Sequence, residues 1–377
     1  MNDAILVLED GRVFRGTRFG AEGQTLGEAV FDTGMTGYQE MLTDPGSRGA
    51  IVIATAPHIG NTGWNEADAQ NPAGRIHAAG LAVREPTRRV SNHRAQTTLV
   101  GELTGQDVVG IAGLDTRAVV RHLREHGPMR AGIFSGATLA PVDALLRIVQ
   151  AQTPETGAAA VRAVAGGWPE TITPEQGQGR TVAVLDLGLT RAVVDGLTAR
   201  GHTLKVLPPT ADDAGLDAVG PAGLVISDGP GDGSGLDAAT ALVRTALGRG
   251  LPVLGIGLGH QLLGRVLGLG TVRMPVGHRG ANVPVRDLAA DRILITVQSH
   301  GHALESGDAP EFDTPYGRAR ISHTSAVDDT VEGVELIDGS ALGVQYLPAP
   351  DPGLYGPASP YDRFTTAMDR QQKAGQN

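Results

Sequence analysis

Apolar residues follow two rhythms along the 377-residue chain, and the change of rhythm predicts two domains. Over residues 1–151 they come in short strand-length runs, at Ala4–Leu8, Ala50–Ala54, Gly80–Val83 and Val108–Ala112. Arg12–Phe14 follows the first run across an acidic Glu-Asp-Gly turn, which predicts a hairpin. Two helices interrupt this β-rich part. Asp115 is a candidate N-cap for a helix running to about His126 and closed by Gly127, and residues 141–151 are amphipathic at helical spacing.

Residues 152–180 break the pattern with Gln-Thr-Pro-Glu-Thr, Gly-Gly-Trp-Pro-Glu and Thr-Pro-Glu-Gln-Gly-Gln-Gly, so they read as a linker. Beyond it, over 181–377, strand and helix patterns alternate. Val182–Leu187 is a buried-strand run followed by a helix from about Leu189 to Arg200; Leu204–Leu207 and Leu224–Ser227 are strands, and Leu236–Gly248 is helical. A strand at 252–256 then enters a Gly-rich turn and leaves as a helix over 258–267, and strand-like runs recur at 293–298, 317–322 and 341–346. The β-α-β-β-α-β-α order predicts a doubly wound, mostly parallel sheet, and the final 15 or so residues are polar and helix-prone. The fold class is therefore α/β, a β-rich first domain followed by a doubly wound second one.

Composition narrows the function classes. The net charge of −10 argues against a dedicated nucleic-acid or anionic-membrane binder, because either needs a basic face. No segment reaches the ~18 apolar residues of a membrane span. The N-terminus has no basic region and only a five-residue apolar run, unlike a secretory signal, so a cytoplasmic protein is expected. With no cysteine in the chain, disulfides, thiolate metal sites and thiol catalysis are all excluded.

The turn after residue 256 has the form that α/β enzymes use to lift a nucleophile clear of the sheet, yet its tip is Gly257. Gly255-x-Gly257-x-Gly259 departs from a dinucleotide fingerprint by one residue and reads as turn chemistry. There is no Walker A string and no G-x-S-x-G. His260 follows the tip by three positions, but a substitute nucleophile needs a positioned base. His300 and His302, with His278 or His323, lack a carboxylate at a recognised spacing, so neither a metal nor a cofactor is expected.

Several long strings nevertheless resemble one family, the small subunit of carbamoyl phosphate synthetase. They are Phe-Asp-Thr-Gly-Met-Thr-Gly-Tyr-Gln-Glu (31–40), Leu-Thr-Asp-Pro (42–45), Pro-His-Ile-Gly-Asn (57–61) and Leu-Asp-Thr-Arg (114–117). The second part resembles a class I glutamine amidotransferase domain through Asp-Gly-Pro-Gly-Asp (228–232), Gly-Leu-Gly-His-Gln-Leu-Leu (257–263) and Gln-Ser-His-Gly (298–301).

The resemblance implies a cysteine that attacks glutamine, a histidine base, a glutamate that orients it, and backbone N–H groups that hold the oxyanion. Ammonia would then pass to a large subunit. Carried over by position, the cysteine is Gly257, the histidine Leu347 and the glutamate Ala349. The glutamine pocket is altered as well: Gly46 stands where the family has serine, Ser299 where it has asparagine, and His302 where it has an aromatic residue. The remnant pocket is Gly46, Gly229, Gly231, Leu258, Gln261, Ser299, Gly301 and His302.

The expected function is that of a small-subunit homologue that cannot hydrolyse glutamine and that binds a large subunit as scaffold or regulator of an ammonia-using synthetase. The preserved strings in the first part favour docking on that subunit, although loops joining buried strands would account for them too. Asp115 and Arg117 read as a helix cap followed by a solvated or interface arginine. Two other readings stand beside the first. One is an active glutaminase using unrecognised residues. The other is a repurposed, less polar pocket around Gly46, Gly257, Leu347 and Ala349 that takes another small molecule.

Overall fold

A computed structural model describes residues 3–153, 155, 157–177, 179–305, 307, 309–350 and 359–374. Residues 154, 156 and 178 of the expected linker, and 375–377 of the helix-prone terminus, lie outside that set. The chain divides into two compact units, Met1–Glu155 with Pro275–Asn282, and Thr156–Met274 with Val283–Asn377. Among the described residues no helix is long and apolar enough to cross a membrane.

The first unit contains β1 (Asp3–Leu8), β2 (Val13–Gly20), β3 (Gln24–Asp32), α1 (Tyr38–Thr43), β4 (Ala50–Ala54), β5 (His58–Ile59), β6 (Gly80–Ala82), β7 (Glu85–Pro86), α2 (Leu99–Gly105), β8 (Val109–Ala112), α3 (Thr116–His126), β9 (Met129–Ser135) and α4 (Val142–Ala151). Seven of these strands close into a barrel in the order β1-β2-β8-β6-β4-β3-β9. The predicted hairpin is β1–β2, with Val7 opposite Val13 across the turn. Closure leaves the strands no free edge and buries both faces of some of them. All five residues of β4 are buried, Ile51 and Ile53 in one core cluster and Val52 in another, as a period of two requires. The helices cover those two clusters: Val119 and Leu123 of α3 join the first, and Leu99 and Leu103 of α2 the second. Asp115 caps α3 as expected, its Oδ1 accepting the Ala118 N–H at 3.0 Å. Pro275–Asn282 groups with this unit because Thr33 bonds to it, its N–H donating to the Arg279 carbonyl at 3.2 Å. The sequence places that segment inside the second domain, since a long-range backbone bond leaves no local signature.

The second unit begins with α5 (Gly157–Val164) and β10 (Thr171–Ile172), both inside the span expected to be linker. The Ala-rich turn of α5 buries Val161 in the main core, which a Pro/Gly composition count does not register. Then come β11 (Thr181–Leu185), α6 (Arg191–Thr198), β12 (Thr203–Leu207), α7 (Asp213–Val219), β13 (Gly223–Ile226), α8 (Asp237–Gly248), β14 (Val253–Ile256) and α9 (Leu258–Val266). The helix α7 corrects the expected β-β step at Leu204–Ser227. It has only about two turns, capped by Asp212, whose Oδ1 accepts the Gly215 N–H at 3.0 Å, and is too brief to set up a visible 3.6 period. The chain continues through β15 (Thr271–Asp287), β16 (Arg292–Leu304), β17 (Glu311–Thr314), β18 (Gly317–Ser325), β19 (Val331–Leu336), β20 (Ala341–Val344) and α10 (Pro360–Ala374).

These strands form one sheet in the order β10-β12-β11-β13-β14-β20-β19-β16-β15-β18-β17. Its core, β12-β11-β13-β14-β20, is parallel throughout, and β11, β13 and β14 are almost continuously buried, as strands covered on both faces must be. From β19 outward the sheet turns antiparallel.

Candidate functional site

The corner between β14 and α9 is where the sheet can present chemistry, at the carboxyl ends of the parallel strands. Gly257 carries the turn. Its N–H donates to the Val344 carbonyl at 2.9 Å, prolonging the ladder with β20, and its own carbonyl accepts the Gln261 N–H at 3.2 Å, starting the helix. Between these two bonds the backbone must pass through φ 55, ψ −112, a conformation that strains any residue with a Cβ. The corner is also crowded. A Cβ on Gly259 would lie 2.2 Å from the Ile226 carbonyl oxygen, so the glycine spacing serves close packing, as the turn reading predicts.

The space above Gly257 is occupied. An added Cβ there would lie 2.0 Å from Asp228 Oδ1 and 2.2 Å from Asp228 Cγ. Asp228 stands two residues beyond β13, and its Oδ1 accepts two backbone N–H groups, from Gly229 at 2.7 Å and from Leu258 at 2.9 Å. One donor comes from the Gly-Pro-Gly turn and the other opens α9, so the carboxylate binds a two-donor cradle at the positive end of a helix. Ser227 anchors this loop: its hydroxyl accepts the Leu187 N–H at 2.9 Å and donates to the Asp228 carbonyl at 2.8 Å. Gly229 allows the approach, because a Cβ there would meet the Leu187 carbonyl oxygen at 2.2 Å. The expectation of a less polar crevice at Gly257 is thereby corrected: what fills the missing side chain's place is an acidic group. Asp228 sits inside the quoted Asp-Gly-Pro-Gly-Asp string but was not among the candidate residues; an acid directly before the Gly-Pro-Gly turn is the signal that could have found it.

The other candidates of this unit are placed as follows. Gly231 turns at φ 90, where a Cβ would come 2.8 Å from Gly157 Cα at the start of α5. Leu258 and Gln261 are both buried on α9. The Gln261 Nε2 donates to the His302 carbonyl and to Gln345 Oε1, each at 3.0 Å, so this amide ties α9 to β16 and to the end of β20. Ser299, Gly301 and His302 lie along β16 and are half-buried. Nearby, Gln298 Nε2 donates to the wholly buried Glu332 at 2.9 Å, and Gln298 Oε1 lies 2.8 Å from His300 Nε2. Burial opposes ionisation of Asp232, but hydrogen bonds from Ser234 and the charge of His302 together hold its carboxyl below the usual range.

Leu347 bridges to β16, its N–H donating to the Val297 carbonyl at 3.0 Å, and packs against the core that holds Tyr346; Ala349 follows it, half-buried. Neither side chain can take up or orient a proton. His260 cannot substitute, because it is fully buried beneath β20. Burial, with the charge of His323, pushes its imidazole down to about 3. Gly46 belongs to the first unit, on a tight turn over Pro45–Ser47 where its N–H donates to Asp44 Oδ1 at 2.8 Å. Burial pushes the Asp44 carboxyl up to about 6.

A parallel sheet with a strand–glycine–helix corner and a two-donor N–H cradle gives the second unit the form of an α/β enzyme domain, and residues 183–367 match the class I glutamine amidotransferase family. Residues 6–133 match the CPSase domain of the carbamoyl-phosphate synthase small chain. Three curated proteins, each called carbamoyl phosphate synthase small chain, are similar along nearly their whole length. The one from Mycolicibacterium paratuberculosis is 50% identical over 97% of this chain and 98% of its own. That from Mycobacterium leprae is 49% identical over 99% and 100%, and that from Streptomyces coelicolor 45% identical over 98% and 97%. The chain belongs to the carbamoyl phosphate synthase small-chain family.

Proposed function

We propose that this chain is a small subunit whose glutaminase site is silent, and that it acts in the cytoplasm by binding a synthetase large subunit, as scaffold or regulator of carbamoyl phosphate synthesis from free ammonia. One observation carries the reading: the place of the nucleophile's side chain is taken by the Asp228 carboxylate, over a glycine. Thiol attack on an amide needs the sulfur, a base within hydrogen-bond reach, and unoccupied N–H donors for the oxyanion. Gly257, Leu347 and Ala349 supply none of the first two, and Asp228 already holds the donors. Within the preserved strings of the first unit, Met35, Thr36, Pro57, His58, Asn61 and Arg117 are exposed, which offers surface to a partner. Binding without chemistry still regulates if it favours one conformation of that partner.

The experiment is reconstitution with the cognate large subunit, assaying carbamoyl phosphate with ammonium and, separately, with glutamine. Product from ammonium that rises when the small chain is added, with none from glutamine, is the expected result. Glutamine-dependent product at an enzymatic rate overturns the silent site, and failure of the two chains to associate overturns the scaffold.

A further inference from the structure

We infer that the N–H pair of Gly229 and Leu258 is a carboxylate-binding site whose ligand is the chain's own Asp228, so that the cradle is locked from within against external carboxylates and oxyanions. This extends the silent-site reading, but it concerns occupancy of the cradle rather than the missing thiol. Three features point to a resident ligand rather than a chance contact. A single oxygen, Oδ1, accepts both donors, at 2.7 and 2.9 Å, which is the short, charge-assisted range. The donors come from two separate elements, the turn after β13 and the first residue of α9, so the carboxylate bridges the crevice instead of merely capping its own loop. The site also has no room for both occupants: a side chain at Gly257 and the carboxylate of Asp228 exclude each other by the 2.0 Å approach. Glycine at 257 and aspartate at 228 are thus two halves of one arrangement.

The backing of the loop keeps the acid in place. Ser227 bonds both to the Leu187 N–H and to the Asp228 carbonyl, which sets the direction in which the Asp228 side chain leaves the backbone. Gly229 lets that loop press against Leu187. Removing the carboxylate while keeping the loop should therefore leave two empty N–H donors converging on the position of one anionic oxygen. Formate is the smallest probe of them.

The test follows the amide resonances of Gly229 and Leu258 in the full chain during a formate titration, in the native protein and in Asp228→Ala. A ligand bound nine-tenths of the time or more weakens the apparent affinity of a competitor about tenfold or more. The expected result is that both amides shift together and saturably in Asp228→Ala, at about one-tenth or less of the formate needed to move them in the native chain. Equal responses in the two proteins, or no response in an Asp228→Ala protein whose other resonances are unchanged, overturns the proposal. Should Asp228→Ala fail to fold, Asp228→Asn decides. It can keep an oxygen acceptor but loses the charge, so the two amide protons should move upfield relative to the native chain, and unchanged positions overturn the proposal. None of these readouts measures glutamine hydrolysis: equal formate responses overturn the lock while the missing thiol, base and orienting acid still leave the site silent, whereas glutamine-dependent product in the reconstituted complex overturns both.

Discussion

Replacing Gly257 by alanine puts the corner under the most direct load. The new Cβ would stand 2.0 Å from Asp228 Oδ1, so the carboxylate has to leave its cradle. Two costs follow. A side-chain-bearing residue held at φ 55, ψ −112 stores roughly 1–3 kcal/mol. Evicting the carboxylate breaks two charge-assisted hydrogen bonds, each worth about 1.5–3 kcal/mol net. Part of that second cost is recovered, because Asp228 is only half-buried and regains water. The balance is roughly 3–5 kcal/mol. At about 2–4 °C per kcal/mol for a domain of this size, the transition of the second unit should fall by roughly 6–20 °C. Scanning calorimetry reads this directly. The companion is the same alanine in an Asp228→Ala background, where only the backbone strain remains and the further drop should shrink to roughly 1–3 kcal/mol. If Gly257→Ala melts within about 1 kcal/mol of the native chain, or costs the same in both backgrounds, the carboxylate does not hold that space and the reasoning fails.

Two further perturbations probe the same unit. Gly257→Cys restores a thiol but no base, since Leu347 and Ala349 remain, so glutamate release from glutamine should stay at the rate of the mixture without protein; turnover above that rate would mean another group activates the sulfur. Acid should destabilise the fold through its buried histidines. Burial holds His260 down to about 3 and His323 to about 4, so both stay neutral in the native state while unfolded histidine, with its ordinary value of 6.5, takes up a proton. Their contribution is complete above pH 6.5 and is lost as pH falls toward 4 and then 3. Asp44, raised by burial from 3.8 to about 6, opposes this, adding stability as pH falls through the same range. The melting temperature should therefore drop less between pH 7 and pH 5 in His260→Gln than in the native chain, and an equal drop would show that His260 is already protonated or solvated.

Much of the architecture was legible because it is written in local patterns. The β1–β2 hairpin, the Asp115 cap of α3, the strand–glycine–helix corner and the C-terminal helix α10 all announce themselves within a dozen residues. Other elements left no such mark. The helix α7 is too short to show a period, and α5 hides in a span whose Pro and Gly content suggests linker. Among the candidate residues, Gln261 reads from its position as a pocket contact; that its Nε2 donates to His302 and Gln345, neither of them near it in sequence, only the fold supplies.

What this protein lacks, and which family it resembles, can be read from the order of its residues alone. An absent thiol is a fact of composition, and Gly257, Leu347 and Ala349 are facts of position, which no folding can alter. That a carboxylate stands over Gly257 follows from the folding of distant segments onto each other. Asp228 and Leu258 are thirty residues apart, and they meet because parallel pairing of β13 with β14 brings the two strand ends side by side. The same holds for the barrel, whose closure joins β1 to β9, and for the segment Pro275–Asn282, claimed by a strand end at Thr33. Sequence periodicity reports which face of an element is buried; which remote group arrives on the other side is set by long-range hydrogen bonding and packing, and those are properties of the folded chain alone.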